Sequence, residues 1–346
     1  MRRGYTPARM QPKLKRNELD GLAEFYALDS PRTETMLEFA QARPSRAEGL
    51  HFLAVSLRIA GVLSLAAGLV FFVAANWSRI AVFGRFAMIE IVLLACVGLA
   101  FLKPPPAFVG RAAIFLAFVA TGALLALFGQ TYQTGADVYE LFLSWSLLGL
   151  PLVVAAQWSV VTAAWVLVFD TALILFCGWN PTGGLFWVLF SGLHFRPALL
   201  VLTATWLNLA LWFAFEVRPI DAVPEWVRRL ILSCAFGFAT WGGVLGIVGS
   251  DLAFGDRRGD PAAMLALAAA MTAAVAYALR RRVDIYPLAV VMGTFIIVSL
   301  VWLARVVEFH DEGTFLLLAV WLIGTSTAAG KILTSLARRW RPGAGA

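Results

Sequence analysis

Charge is scarce in this chain. Asp, Glu, Lys and Arg together make up 14% of its 346 residues, against about 25% in a soluble domain. So little charge cannot solvate the surface of a folded water-soluble protein of this length. Cysteine is also rare: Cys96, Cys177 and Cys234 all lie in or at the ends of apolar runs, and none is spaced C-x-x-C. That excludes a disulfide scaffold and a dithiol redox motif, and the three read as small buried hydrophobes. The three histidines, His51, His194 and His310, are scattered and have no zinc-ligand spacing. No G-x-S-x-G, H-E-x-x-H, Walker or G-x-G-x-x-G element occurs in a suitable context. With no nucleophile-and-base pair and no metal constellation, the expectation is a non-enzyme without metal or cofactor. The net charge of +7 does not gather into one patch, so no nucleic-acid partner is expected. The first 50 residues hold no apolar run with a cleavage site, hence no secretory signal peptide.

What the chain has in excess is apolar sequence. Hydrophobic types reach 60% and the mean hydropathy is +0.79. These residues come in blocks of bilayer-crossing length, about 20 residues per helix. The expected spans are 53–75, 84–102, 111–129, 139–156, 159–177, 197–216, 230–250, 261–279, 285–304 and 314–334. The block 183–193 is apolar but too short to cross, and reads as interfacial or re-entrant. The fold class is therefore all-α: a polytopic transmembrane helical bundle of about ten helices in the lipid bilayer, residues 53–336, followed by a short tail, 337–346.

Ahead of it, residues 1–52 read as a cytoplasmic segment. Residues 1–16 form a basic tail with two prolines. Leu19, Leu22, Ala23, Tyr26 and Ala27 then recur at helical spacing. Ser30-Pro31 reads as an N-cap followed by proline at the first helical position, opening a second short helix with Leu37 and Phe39. This amphipathic pair, residues 17–43, suits the membrane surface or a cytoplasmic protein partner.

The loops obey the positive-inside rule with the N-terminus inside. Of the 28 basic residues, 21 then fall on the inner side and 6 on the outer, and Arg58 lies within the first span. Without the N-terminal segment the ratio is still 12 to 6. An even number of spans returns the C-terminus to the cytoplasm, giving a multi-pass membrane protein with both termini inside. Trp77, Trp158, Trp179, Trp226 and Trp340 fall near the interfaces, where such rings are favoured. Small residues four apart, Ala60, Ser64 and Gly68 in the first span and Gly242, Gly246 and Ser250 in the seventh, suit close helix packing.

The candidates for chemistry are the polar residues left in or beside the spans. Asp170 sits close to the middle of the fifth span. Inserting it costs about 2.5–3.5 kcal/mol, which the apolar neighbours offset at about 0.3–0.6 kcal/mol each. It should face the bundle interior, paired or protonated, either as a functional group or as a structural hydrogen bond. Glu90 lies two turns inside the second span, and Asn208 at the middle of the sixth reads as interhelical glue. The stretch Gly129-Gln130-Thr131-Tyr132-Gln133-Thr134-Gly135-Ala136-Asp137-Val138-Tyr139-Glu140 reads as an outer loop richer in polar groups than a hairpin needs. Asn76 closes the first span on the same face. Asn76, Glu90, Gln130, Tyr132, Gln133 and Asp137, with Asp170 at the base, make a candidate outward ligand site. His310-Asp311-Glu312 and the trio Asp251, Asp256 and Asp260 read as solvated turns.

The segment Leu19 to Tyr26, the run Phe71-Phe72-Val73-Ala74-Ala75-Asn76-Trp77, and the Gly129–Asp137 stretch leading to Trp145 and Pro151 resemble the bacterial predicted membrane proteins grouped as domain-of-unknown-function family 2157. The resemblance covers about residues 17–155. It implies a polytopic inner-membrane protein and brings no established activity. Two functions fit: a small-ligand transporter or binding protein with an outward polar site, ligand unknown, or a non-catalytic assembly or envelope factor that recruits partners through residues 17–43.

Overall fold

The computed structural model describes residues 16–39, 46–75, 80–132, 137–178, 197–217, 223–248, 260–281, 284–307 and 312–340. The chain divides into two compact units, Met1–Ala75 and Asn76–Ala346. The described residues hold twelve helices and no strand.

The first unit holds α1 (Arg16–Phe25), α2 (Ser30–Phe39) and α3 (Arg46–Ala75). A helical pair forms: α1 packs on α2, and Leu19 and Leu37 are buried; residues 40–43 lie outside the described residues. After α1, Ala27 takes a left-handed φ of 48°. Leu28 N then bonds Ala23 O, and Ala27 N bonds Glu24 O. This is the Schellman closure usually given to glycine. The expected cap of α2 moves by one residue. The Asp29 carboxylate, not Ser30, accepts the Arg32 N–H at 3.3 Å, because an ionised oxygen is the stronger acceptor for an exposed helix end. The first long helix also starts earlier than residue 53. No breaker follows Pro44, so Arg46 to Phe52 continue the helix of the first span.

The second unit holds α4 (Val82–Leu102), α5 (Phe108–Tyr132), α6 (Val138–Ala156), α7 (Ser159–Gly178), α8 (Pro197–Val217), α9 (Glu225–Val248), α10 (Pro261–Arg281), α11 (Tyr286–Val307) and α12 (Glu312–Arg339). Helices α4 to α7 pack each on the next; α7 meets α8 and α9, α9 meets α8, α10 and α11, and α12 lies on α11. Ten described helices, α3 to α12, are long and apolar enough to cross a membrane. Each covers most of an expected span.

α9 is the core of the second half, buried along Val227, Ile231, Leu232, Ala235, Phe236 and Ala239. Gly242 and Gly246 let Leu202 of α8 and Met264 of α10 approach its backbone, as their spacing predicts; Ser250 lies outside the described residues. Ala60, Ser64 and Gly68 of α3 are exposed. The segment 183–193 also lies outside the described residues, as do His310 and Asp311. Glu312 opens α12, and Asp260 caps α10 by accepting the Ala262 and Ala263 N–H groups at 3.0 and 3.3 Å.

Two boundaries differ in a way that matters for the site. Gln130, Thr131 and Tyr132 belong to α5, and Tyr139 and Glu140 to α6, so the outer loop is shorter than expected. Gly129 does not end α5, because the Tyr132 ring packs at a tilt against Phe128 (4.8 Å between ring centroids) and Phe86 of α4 (6.2 Å), anchoring the last turn. α9 begins at Glu225 rather than at residue 230. Arg228 and Arg229 therefore stand inside the helix, where Arg229 pairs with Glu225 one turn earlier.

Candidate functional site

Asp170 is the twelfth of the 20 residues of α7, and so near the middle of its span. It is 4% exposed. Isolated in an apolar layer, a carboxyl group would be expensive, so its neighbours decide what it is for. Asn208, midway along α8 and fully buried, donates from Nδ2 to Asp170 Oδ1 at 2.8 Å and to Ala204 O at 3.2 Å. The two donors of the amide are thus spent and its orientation is fixed. From α9 the Cys234 thiol lies against the same carboxyl. Among the described residues no Lys, Arg or His is paired with Asp170.

The inventory of this cluster does not close. Asp170 Oδ2, Asn208 Oδ1 and Thr205 Oγ1 are buried, and none has a hydrogen-bond partner among the protein's own atoms. Thr205 stands one turn before Asn208 on the same side of α8 and is fully buried. Its behaviour is unlike that of other helical threonines here. The hydroxyls of Thr162, Thr171, Thr240 and Thr272 each donate to the carbonyl four residues back, the usual resting place for such a group. A buried polar group without a partner costs about 1–3 kcal/mol. Two of them meet across α7 and α8 and the third lies one turn before Asn208, which marks a place built for something beyond packing. One turn along, Leu173, Val201, Ala204 and Phe238 form an apolar layer from the same three helices, which closes the cluster on that side.

The other expected site residues are placed elsewhere. Glu90 is exposed on α4, a helix that packs chiefly on α5. Gln130 and Tyr132 are exposed on the last turn of α5. Asp137 precedes α6 and is half-buried, its carbonyl accepting the Glu140 N–H at 3.0 Å. Asn76 and Gln133 lie outside the described residues. Of the described members, the structure groups Asp170 with Asn208 and Cys234, beside Thr205 of α8, and not with the α4–α6 set. Reading the sequence missed Thr205 and Cys234. The available signal was the Thr205-x-x-Asn208 spacing on one helix face, together with a cysteine at the tenth position of α9.

A second polar group gathers where α8 to α11 meet at one end. Arg229 binds Asp284 at 3.2 Å and lies over the Tyr286 ring. Arg228 pairs with Glu216 at 3.5 Å, and the Tyr286 hydroxyl shares a hydrogen bond with Ser233 at 2.6 Å. These charges border a cavity of about 240 Å³. Their acids and bases are mutually paired, so the group reads as a clasp joining helix ends. Among the described residues no three His, Cys, Asp or Glu side chains are grouped as metal ligands would be.

Residues 26–162 match the family model described as predicted membrane protein (DUF2157). The resemblance carried by the N-terminal segments is therefore shown over that stretch, and the Asp170 cluster lies beyond it. No curated protein and no solved structure was found to match the chain. With ten apolar helices of crossing length, the protein is a multi-pass membrane protein in contact with the lipid bilayer.

Proposed function

We propose that this protein is a transporter of a small solute, with its binding site at the Asp170 cluster between α7, α8 and α9. It lies in a bacterial inner membrane with both termini in the cytoplasm, and it has no catalytic role. One observation carries this reading: a midspan carboxyl, 4% exposed, met by the Cys234 thiol and by an amide that itself keeps an unfilled acceptor, with no basic partner among the described residues. A purely structural carboxyl–amide pair would be expected to use its remaining oxygens, since nothing in hydrocarbon substitutes for them. Intramembrane acids that face a bundle interior mark ion and substrate paths.

The test is electrical. Proteoliposomes holding the full chain are challenged with amino acids, sugars, nucleosides and organic ions on a solid-supported membrane. The expected result is a solute-dependent current that Asp170→Asn abolishes, while the variant still elutes as folded protein. No current from any class, or an equal current from the variant, overturns the reading.

A second reading rests on a separate feature. At the end of α1, Phe25 is 80% and Tyr26 66% exposed, an aromatic edge suited to a cytoplasmic protein partner. Deleting residues 1–45 should abolish co-purification of that partner while the bundle still inserts; co-purification that survives the deletion removes this reading.

A further inference from the structure

We propose that the ligand of the Asp170 cluster is a monovalent cation, held by Asp170 Oδ2, Asn208 Oδ1 and Thr205 Oγ1. This rests on reading the cluster as a binding site and goes further by naming what it binds. The argument is one of charge and donors. The three atoms are buried and unpartnered, and all three are oxygens able to accept. One belongs to an acid. The other groups facing that acid are Asn208 from α8 and the Cys234 thiol from α9, with Thr205 one turn before Asn208 on α8; α5 and α6, which also pack on α7, bring no charged side chain to it. Both amide hydrogens of Asn208 are committed, which leaves its carbonyl oxygen presented for a positive ligand.

An anionic solute would need donors here, and the cluster offers only the Thr205 hydroxyl and the weak thiol, while a neutral one would leave the charge of an ionised Asp170 uncompensated. A divalent cation calls for more than one carboxylate or for retained waters, and the site has a single acid in an apolar surround. A sodium ion on oxygen ligands satisfies every open atom at once, whereas a proton taken up by Asp170 Oδ2 neutralises the acid and donates to one of the other two oxygens; the two are separated by experiment.

The full chain in detergent micelles is heated in NaCl and in choline chloride at constant ionic strength, and the infrared carboxyl band is followed in the same buffers. With sodium as ligand, NaCl raises the unfolding midpoint saturably. Asp170→Asn removes that rise, and Thr205→Val raises the half-saturating sodium concentration by about tenfold, as for one lost ligand. With a proton as ligand, sodium does nothing, and a protonated-carboxyl band missing from Asp170→Asn comes and goes with bulk pH. If neither sodium nor pH moves either readout, or if both respond equally in Asp170→Asn, the proposal is overturned. A solute current that depends on Asp170 under those conditions would leave the transport reading standing without it.

Discussion

Thr205 separates a structural from a ligand-binding account of the α7–α9 core. Its hydroxyl is buried and makes no hydrogen bond, so replacing it by the isosteric valine removes an unsatisfied group and loses no bond. Thr205→Val should leave the unfolding midpoint in sodium-free buffer unchanged or raise it, by about 1 kcal/mol at most. Thr240 is the control. Its hydroxyl donates to Phe236 O at 2.8 Å and shares a bond with Thr294 at 2.9 Å, so Thr240→Val should cost about 0.6 kcal/mol, the mean for polar contacts between membrane helices. Thermal unfolding of both variants in one detergent checks the pair, and equal losses would contradict the orphaned state of Thr205. Asn208→Ala has two consequences: it removes the donor to Asp170 and leaves Oδ1 of that acid exposed to hydrocarbon. Its cost should exceed that of Thr240→Val and reach about 1.7 kcal/mol, the upper end measured for such bonds.

Between helices the decisive contacts involve small residues facing rings. Trp145 of α6 donates its Nε1 to Phe118 O of α5 at 2.8 Å and packs against the Phe118 ring at 5.3 Å. The approach depends on two glycines. A Cβ at Gly122 would enter the Trp145 ring, and one at Gly149 would enter the Phe118 ring. Neither ring can retreat, since each is wedged against the opposite helix. Gly122→Ala and Gly149→Ala should each destabilise by about 1–3 kcal/mol, the range for overpacked cores. Gly129→Ala, where an added Cβ meets nothing within 4 Å, should be tolerated. Unfolding midpoints in detergent would show the contrast, and a loss at Gly129 matching that at Gly122 would contradict the α5–α6 geometry. The spans themselves were legible, because hydropathy is a local property and bilayer thickness sets the length it must cover. The spacing of Gly242 and Gly246 was legible for the same reason. Tyr132 was not: whether α5 stops at Gly129 or runs on depends on Phe86, a residue of another helix. Asn208 was read correctly as interhelical glue, but its partner Asp170 lies 38 residues away, and nothing local pairs them.

At the scale of the whole molecule, the sidedness of the bilayer rests on charge alone. Sequence separates the basic residues 21 to 6 between the two sides; Arg338 and Arg339 fall in the last turn of α12, and Arg228 and Arg229 in the opening turns of α9. Lys103 follows α4 directly. All of these stand on the side assigned to the cytoplasm. Juxtamembrane Lys and Arg set orientation because they are retained on the cytoplasmic side while acidic residues contribute little. Lys103 and Arg111 flank the α4–α5 turn, whereas no Lys or Arg occurs from Ala112 to Phe195. If the N-terminus is inside, as the charge count assigns it, the α5–α6 connection is held outside only by the basic turn before it. A fluorescent-protein fusion ending at Pro106 should glow, and an alkaline phosphatase fusion ending at Thr134 should be active. Changing Lys103 and Arg111 together to Gln removes the only basic residues of that turn, so phosphatase activity at Thr134 should fall while the fusion at Pro106 dims. An active phosphatase fusion at Pro106 in the unaltered chain would reverse the sidedness of the bundle and put the α5–α6 connection in the cytoplasm.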